Sequence, residues 1–242
     1  MEVLGRVVEL WRYPVKSLGG ERLDAAALCA RGLYGDRRLA VAGSDGKLGS
    51  GKTTRRFRRM PGLLSLSSFT DPAGEVWVRF PDGECERAVE ARTAARIGQV
   101  VGEGVSLVKE GAVSHFDDAP LHLVTTSSLA WLESLGRDDG IDVRRLRPNL
   151  LVETEGEGRP EEAWLGASLR VGGAVVEVVS RTERCAMTTM AQGGLGSAPG
   201  ILRQLTASSD ACLGVYGVVV RPGVVRAGDP VARDQPLSSA RR

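Results

Sequence analysis

Cys185 stands in VVSRTERCAMTT (178–189), with Arg181 and Arg184 before it and Thr188 and Thr189 after it. A thiolate is the form of cysteine that attacks an electrophile or binds a soft metal, and cationic neighbours favour it. The commoner fate of a cysteine is burial as a small apolar residue. The polar run around Cys185, followed by the glycine-rich QGGLGSAPG (192–200), argues instead for chemistry. Cys29, in the apolar ALCARG, and Cys212, ahead of a strand-like run, read as core residues; Cys85, beside a hairpin turn, reads as incidental. No pair is spaced C-x-x-C, which argues against structural zinc, and the wide spacing suggests reduced thiols rather than a disulfide framework. His115 and His122 have no partner at metal-binding spacing, so each is expected to be a satisfied or an exposed histidine.

A second stretch offers different chemistry. GKLGSGKT (46–53) fits G-x-x-x-x-G-K-[ST], the pattern whose backbone N–H groups cradle phosphates between a strand and a helix. The context does not supply those elements. Asp45-Gly46 is a hairpin signal, and Pro61-Gly62 interrupt any helix after Thr53 within nine residues. No apolar strand ending in an aspartate offers a magnesium ligand. The match is read as a chance product of a chain with 31 glycines.

Most elements that must position these residues read as strands. VLGRVVELWRYPV, RLAVAG, EVWVRF, LRPNLLVE, SLRVGGAVVEVVS and GVYGVVVRPGVV are β-branched runs bounded by Gly, Pro or Asp, and VVRAGDPV (224–231) reads as a barrel strand closing on a turn. Three helices are predicted: 90–102, 126–137 with a Ser/Thr start and a stop at Gly136, and 199–208. Strands outnumber helices without alternating strictly, so a β-barrel or twisted mixed sheet with peripheral helices fits better than a doubly wound sheet. HFDDAPL (115–121) marks a joint between two units, and the polar tail after Val231 is expected to be disordered.

The 242 residues suffice for one large or two modest domains. With 42% hydrophobic and 26% charged residues and a net charge of +2, the composition does not point to nucleic acid or membrane as partner. The start carries charges inside its apolar stretch and reads as a strand rather than a signal peptide. No apolar run reaches 18 residues, which argues against a membrane-spanning helix and for a cytoplasmic location. Arginine clusters remain at TTRRFRR (53–59) and RRLRPN (144–149), each a solvated face or an anion site.

YPVKSLGG (13–20) resembles the N-terminal signature of proteins that carry a MOSC domain, the molybdenum cofactor sulfurase C-terminal domain. GLYGDRRLAV (32–41), RLRPNLLVE (145–153), EEAWLGASLRVG (161–172), ERCAMTT (183–189) and LGVYGVVVRPGVVRAGDPV (213–231) are similar to that family's further motifs, in the family's order. The resemblance runs from Tyr13 to Val231 and extends to the mitochondrial amidoxime reducing components. It implies a mainly β fold: an N-terminal MOSC β-barrel domain over 1–112, a MOSC β-barrel with peripheral helices over 113–234, and a disordered tail, 235–242. It also implies that Cys185 ligates molybdenum of a molybdopterin cofactor, a soft donor for that metal. Lys16, Ser17, Arg37, Arg147, Asn149, Arg184 and Tyr216 would hold the cofactor, through charged contacts to an anion and amide contacts to a heterocycle edge.

Three features depart from the family pattern. Asp118 and Ala119 replace the Thr/Ser pair that precedes the proline in the amidoxime reducing components, leaving Asp117 as the residue expected at the substrate mouth. KTTRRFRRMPG (52–62) has no counterpart to carry over. No cysteine-rich ferredoxin segment follows Val231, so electrons are expected from a separate donor protein of ferredoxin, flavin reductase or cytochrome type. The implied activity is reduction of N-hydroxylated or other N-oxygenated small molecules, with Cys185 and Asp117 catalytic. The alternative is a carrier that delivers the cofactor or bears a persulfide on Cys185.

Overall fold

The computed structural model describes residues 2–136 and 141–234; the expected tail over 235–242 lies outside them. The fold is mainly β, with three α-helices. Its centre is a closed seven-stranded barrel. In order around the ring the strands are Leu150–Glu153, Leu121–Thr125, Cys212–Arg221, Ala174–Glu183, Ser168–Val171, Pro230–Arg233 and Val3–Arg12, which pairs back onto Leu150–Glu153. Closure removes the free edges that an open sheet of this size would expose. VVRAGDPV does what its punctuation predicted: Pro230–Arg233 seals the ring against Val3–Arg6.

A smaller sheet runs Val105–Lys109, Leu39–Gly43, Leu48–Ser50, Phe57–Arg59, with Val15–Lys16 added parallel to Leu39–Gly43. Its central strand, LAVAG, is buried throughout, as an apolar run with pairing on both sides should be. Glu21–Leu23 pairs with Val3–Arg12 outside the ring, and two three-stranded sheets complete the β structure described.

Three apolar clusters hold the molecule. One fills the barrel with Val7, Leu10, Leu121, Leu123, Leu150, Val176 and Val231 among others. A second joins Val15, Leu18, Val41, Leu66 and Ile97 under the smaller sheet. A third places Val124, Leu132, Leu146, Ile201 and Leu205 beneath the helices. Successive side chains of a strand point to opposite faces, and Leu121–Thr125 thus serves two clusters, Leu121 and Leu123 on one and Val124 on the other. Val7, Leu10, Leu28 and Leu33 pack in the barrel cluster rather than in the core of the smaller sheet.

The helices form where capping and spacing predict. Helix α1 (Ala91–Val101) ends at Gly102, whose φ of 79° accepts the left-handed terminus. Helix α2 (Thr126–Ser134) starts at Thr125, whose Oγ1 accepts from Ser128 N at 3.1 Å. Helix α3 (Gly200–Ser209) ends at Asp210. LRPNLLVE is a strand only from Leu150 onward. Pro148 has no N–H to give a ladder, and Arg147 lies at φ 54°, so residues 146–149 form a turn. That turn carries two site residues.

Candidate functional site

One pocket is lined by all nine residues singled out by motif: Lys16, Ser17, Arg37, Asp117, Arg147, Asn149, Arg184, Cys185 and Tyr216. They come from the turn after Val15–Lys16, the GDR turn, the segment before Leu121, the RPN turn and the rim of the barrel. The first two turns are tied together: Tyr13 N donates to Asp36 Oδ1 at 2.8 Å, and Arg37 N donates to Tyr13 O at 2.8 Å.

Cys185 follows the long strand Ala174–Glu183, whose pairing with Cys212–Arg221 shifts register between Val178 and Ser180 and again between Arg181 and Glu183. Irregularities of this kind re-aim side chains beside functional sites. Here they divide the two arginines before the thiol. Arg184 turns into the pocket, while Arg181 pairs with Glu162 at 3.2 Å and donates to Ser209 O at 2.6 Å. Cys185 then opens a 3-10 turn, Ala186–Thr189, where its carbonyl accepts from Thr188 N at 3.1 Å and Thr188 Oγ1 at 2.9 Å.

Lys16, Arg37, Arg147 and Arg184 are four of the six cations that line the pocket. Lys16 is 4% exposed; its ammonium donates to Asp117 Oδ1 at 3.0 Å and lies 4.4 Å from the Phe57 ring centroid. Burial pushes its pKa down to about 8, an effect Asp117 only partly offsets. Asp117 stays below the usual carboxylate range: burial alone would raise it, but Lys16 outweighs that. Arg37 and Arg147 both stack on the Tyr13 ring, at 4.6 and 4.3 Å. Burial opposes both charges. At Arg37 the fully buried Asp36 carboxylate more than compensates and the pKa rises; Arg147 has no such partner and falls to about 10. Burial also lowers the pKa of Arg184, which donates to Leu146 O at 2.6 Å.

Asn149 spends its side chain on the scaffold. Its Oδ1 accepts from His122 N at 3.1 Å and its Nδ2 donates to Trp11 O at 3.2 Å, tying the RPN turn to two barrel strands. His122 is buried and satisfied. Its pKa is pushed well below the ordinary value, by burial first and Arg184 second. The neutral ring donates from Nδ1 to Arg147 O at 3.4 Å and accepts at Nε2 from Arg184 at 3.4 Å. Its ring packs on Tyr216 at 5.5 Å. Gly214 makes room for it, since a Cβ there would sit 2.6 Å from His122 Nε2.

Sequence reasoning missed His122, Arg145 and Lys52 as lining residues. Arg145 donates to Met190 O at 3.2 Å and Gly196 O at 2.6 Å, pinning the glycine-rich loop beyond Cys185. Lys52 belongs to the phosphate-loop look-alike, whose centre is the strand Leu48–Ser50 and which leads to the strand Phe57–Arg59 with no helix between. The geometry excludes a phosphate loop yet puts its lysine on the pocket wall. Cys29 and Cys212, expected in the core, are both of intermediate exposure. Each thiol faces a nearby backbone carbonyl, Gly32 O at 3.4 Å and Asp210 O at 3.5 Å, because turns follow Cys29 and precede Cys212.

The residues fit an anionic cofactor that brings its own metal ligands. Arg147 Nη2 and Arg184 Nε are buried donors without a partner, and unmet buried donors call for an acceptor. Among the described residues no group of three or more His, Cys, Asp or Glu could hold a metal ion, so a metal here would take Cys185 as its soft protein donor and its other ligands from the cofactor. No helix among the described residues is long and apolar enough to cross a membrane.

Comparison with known proteins agrees with this geometry. Residues 4–120 match the MOSC N-terminal beta barrel domain and residues 110–232 the MOSC domain. Mitochondrial amidoxime reducing component 2 of Bos taurus is 25% identical over 287 residues, covering 96% of this chain and 84% of that protein. The crystal structure of the YUAD protein from Bacillus subtilis superimposes with a TM-score of 0.53 at 15% identity, over 97% of this chain and 99% of that one, a likeness of fold. MOSC domains are associated with binding of the molybdenum cofactor. With its two domain matches spanning residues 4–232, the chain belongs to the MOSC family.

Proposed function

We propose that the protein is a molybdenum-cofactor-dependent reductase of N-hydroxylated or other N-oxygenated small molecules, with Cys185 as the protein ligand to the metal. The observation that carries this reading is the convergence of the Cys185 thiol with a set of cations, among them Arg184, whose Nε is a buried donor without a partner. Similarity to the bovine amidoxime reducing component supports the substrate class.

The cofactor would supply the two-electron chemistry. Lys16, Arg37, Arg147 and Arg184 bind its anionic portion, and the arginines add fixed directional hydrogen bonds. Asp117, 43% exposed at the mouth, orients Lys16 and is reachable from solvent. Reduction of an N-hydroxyl to N–H takes two electrons and two protons and releases water. The Lys16–Asp117 pair would pass those protons inward, and a separate donor protein of ferredoxin, flavin reductase or cytochrome type would deliver the electrons.

The test is expression in a host that makes the cofactor, followed by metal and pterin analysis and oxidation of a reduced dye with a hydroxylamine or an amidoxime. The protein is expected to hold molybdenum and turn over many times per metal, and Cys185→Ser to lose both metal and activity while keeping its fold. Full metal content in Cys185→Ser defeats the ligand assignment. Fewer than one turnover, with the cofactor passing to an apo-molybdoenzyme, establishes a carrier instead.

A further inference from the structure

A second cavity shares Arg147 with the Cys185 pocket and is lined by Trp11, Tyr13, Ser67, Arg144 and Gln192 among others. No aspartate or glutamate lines it. Three of its side chains are more than nine-tenths buried, and each carries a polar atom with no hydrogen-bond partner: Tyr13 Oη, Arg147 Nη2 and Gln192 Nε2. All three are donors, and burial keeps the tyrosine protonated by pushing its pKa up to about 12. A buried donor left unmet is unfavourable, and three around one cavity call for a ligand with several acceptor atoms. Arg147 adds a charge that its surroundings do not neutralise, which favours an anion over a neutral acceptor.

The wall that presents Gln192 is held firmly. Gln192 N and Leu195 O meet at 2.9 Å across a tight turn, Gly193 N donates to Leu64 O at 3.2 Å, and Arg144 Nη1 donates to Gly193 O at 3.2 Å. This is the glycine-rich loop beyond Cys185, and its Gln192 lines this cavity and not the Cys185 pocket. We propose that the cavity binds a phosphate-bearing group through Tyr13, Arg147 and Gln192. The group is either a free phosphate ester or a phosphate of the molybdenum cofactor bound at Cys185, and the chemistry of recognition is the same for both.

The experiment is calorimetric titration of protein made without the cofactor, using inorganic phosphate and a nucleoside monophosphate. A saturable site that depends on Gln192 is expected, distinct from any binding by the cations of the Cys185 pocket. Gln192→Leu removes one hydrogen bond to a charged group and should weaken binding about tenfold; Gln192→Glu should abolish it by repulsion. Lys16→Met, at a residue that lines the Cys185 pocket and not this cavity, should weaken it far less than the Gln192 variants do. Absence of saturable binding up to millimolar phosphate overturns the proposal, as does a loss seen in Lys16→Met but not in the Gln192 variants. Repeating the titration on cofactor-loaded protein separates the sources. Loss of the site on loading, with faster cofactor release from Gln192→Glu, identifies the cofactor's phosphate; a site that persists identifies a separate ligand. Both outcomes uphold the cavity as an oxyanion site, and neither depends on whether Cys185 ligates the metal.

Discussion

The same backbone conformation occurs in two regions for opposite reasons. At the hairpin tip before Leu48–Ser50, Gly46 has φ 74° and nothing within 4 Å of where a Cβ would be. Around the Cys185 pocket, Ser17, Arg37 and Arg147 lie at φ 67°, 49° and 54°. Glycine adopts this region freely, whereas an L-residue is strained there by roughly 1–2 kcal/mol. Among the described residues only Asp210 and Ala211 are other non-glycine cases. At the tip the chain needs only to turn; at the pocket it must turn and also present a side chain inward. Three of the five strained residues line one pocket, and strain of this kind is commonly stored at functional sites.

Arg37→Gly should have the largest effect and would break the symmetry between the strained residues. It relieves the backbone but leaves Asp36, fully buried, without its guanidinium. Loss of one member of a buried pair costs about 3–5 kcal/mol, to be read from denaturant unfolding. Arg147→Gly makes the same backbone change at a cation with no carboxylate partner. It should keep apo stability within about 1 kcal/mol of the parent, because relief of strain and of a buried charge offsets the lost packing. Its affinity for the anionic cofactor should nevertheless fall at least tenfold, roughly the worth of one charged hydrogen bond. Equal destabilisation by the two variants would show that strain, not partner chemistry, decides.

A smaller effect is expected from pH. Lys16 titrates at about 8 in the folded chain against an ordinary 10.5. Between those values the unfolded chain holds a proton that the folded chain has released, so this group's contribution to stability rises with pH across that window. Anion binding by the ammonium runs the other way and declines as pH passes about 8. Unfolding and cofactor-release measurements below and above that pH should show both trends, and Lys16→Met should remove both. The smallest effect is Gly46→Ala, expected to cost about 1 kcal/mol through φ alone and to leave metal content untouched. Loss of metal in that variant would mean the hairpin tip does more than turn.

Much of the fold could be read locally. The Thr125 cap, the stop at Gly102 and the closing VVRAGDPV strand each depend on residues within one short window. The pairing of Val3–Arg12 with both Leu150–Glu153 and Pro230–Arg233 does not, because no local pattern names a partner more than a hundred residues away. The site was legible as a set of motifs and its nine residues share a pocket, but their geometry was not. Nothing in RLRPN announces a left-handed arginine, and nothing in ERC shows that Arg181 and Arg184 diverge. Cys29 and Cys212 misled because an apolar neighbourhood along the chain is not burial in space when a turn adjoins it.

The ring of strands also sets an order for assembly. Among the described strands Val3–Arg12 is made first and its neighbour Pro230–Arg233 last. During synthesis Val3–Arg12 therefore has no complete pairing until Pro230–Arg233 has emerged. Long-range pairing of this kind slows folding and leaves strand edges exposed to wrong partners. Removal of Val3–Arg12 would open the barrel along Leu150–Glu153, so the RPN turn would lose the strand to which Asn149 is bonded.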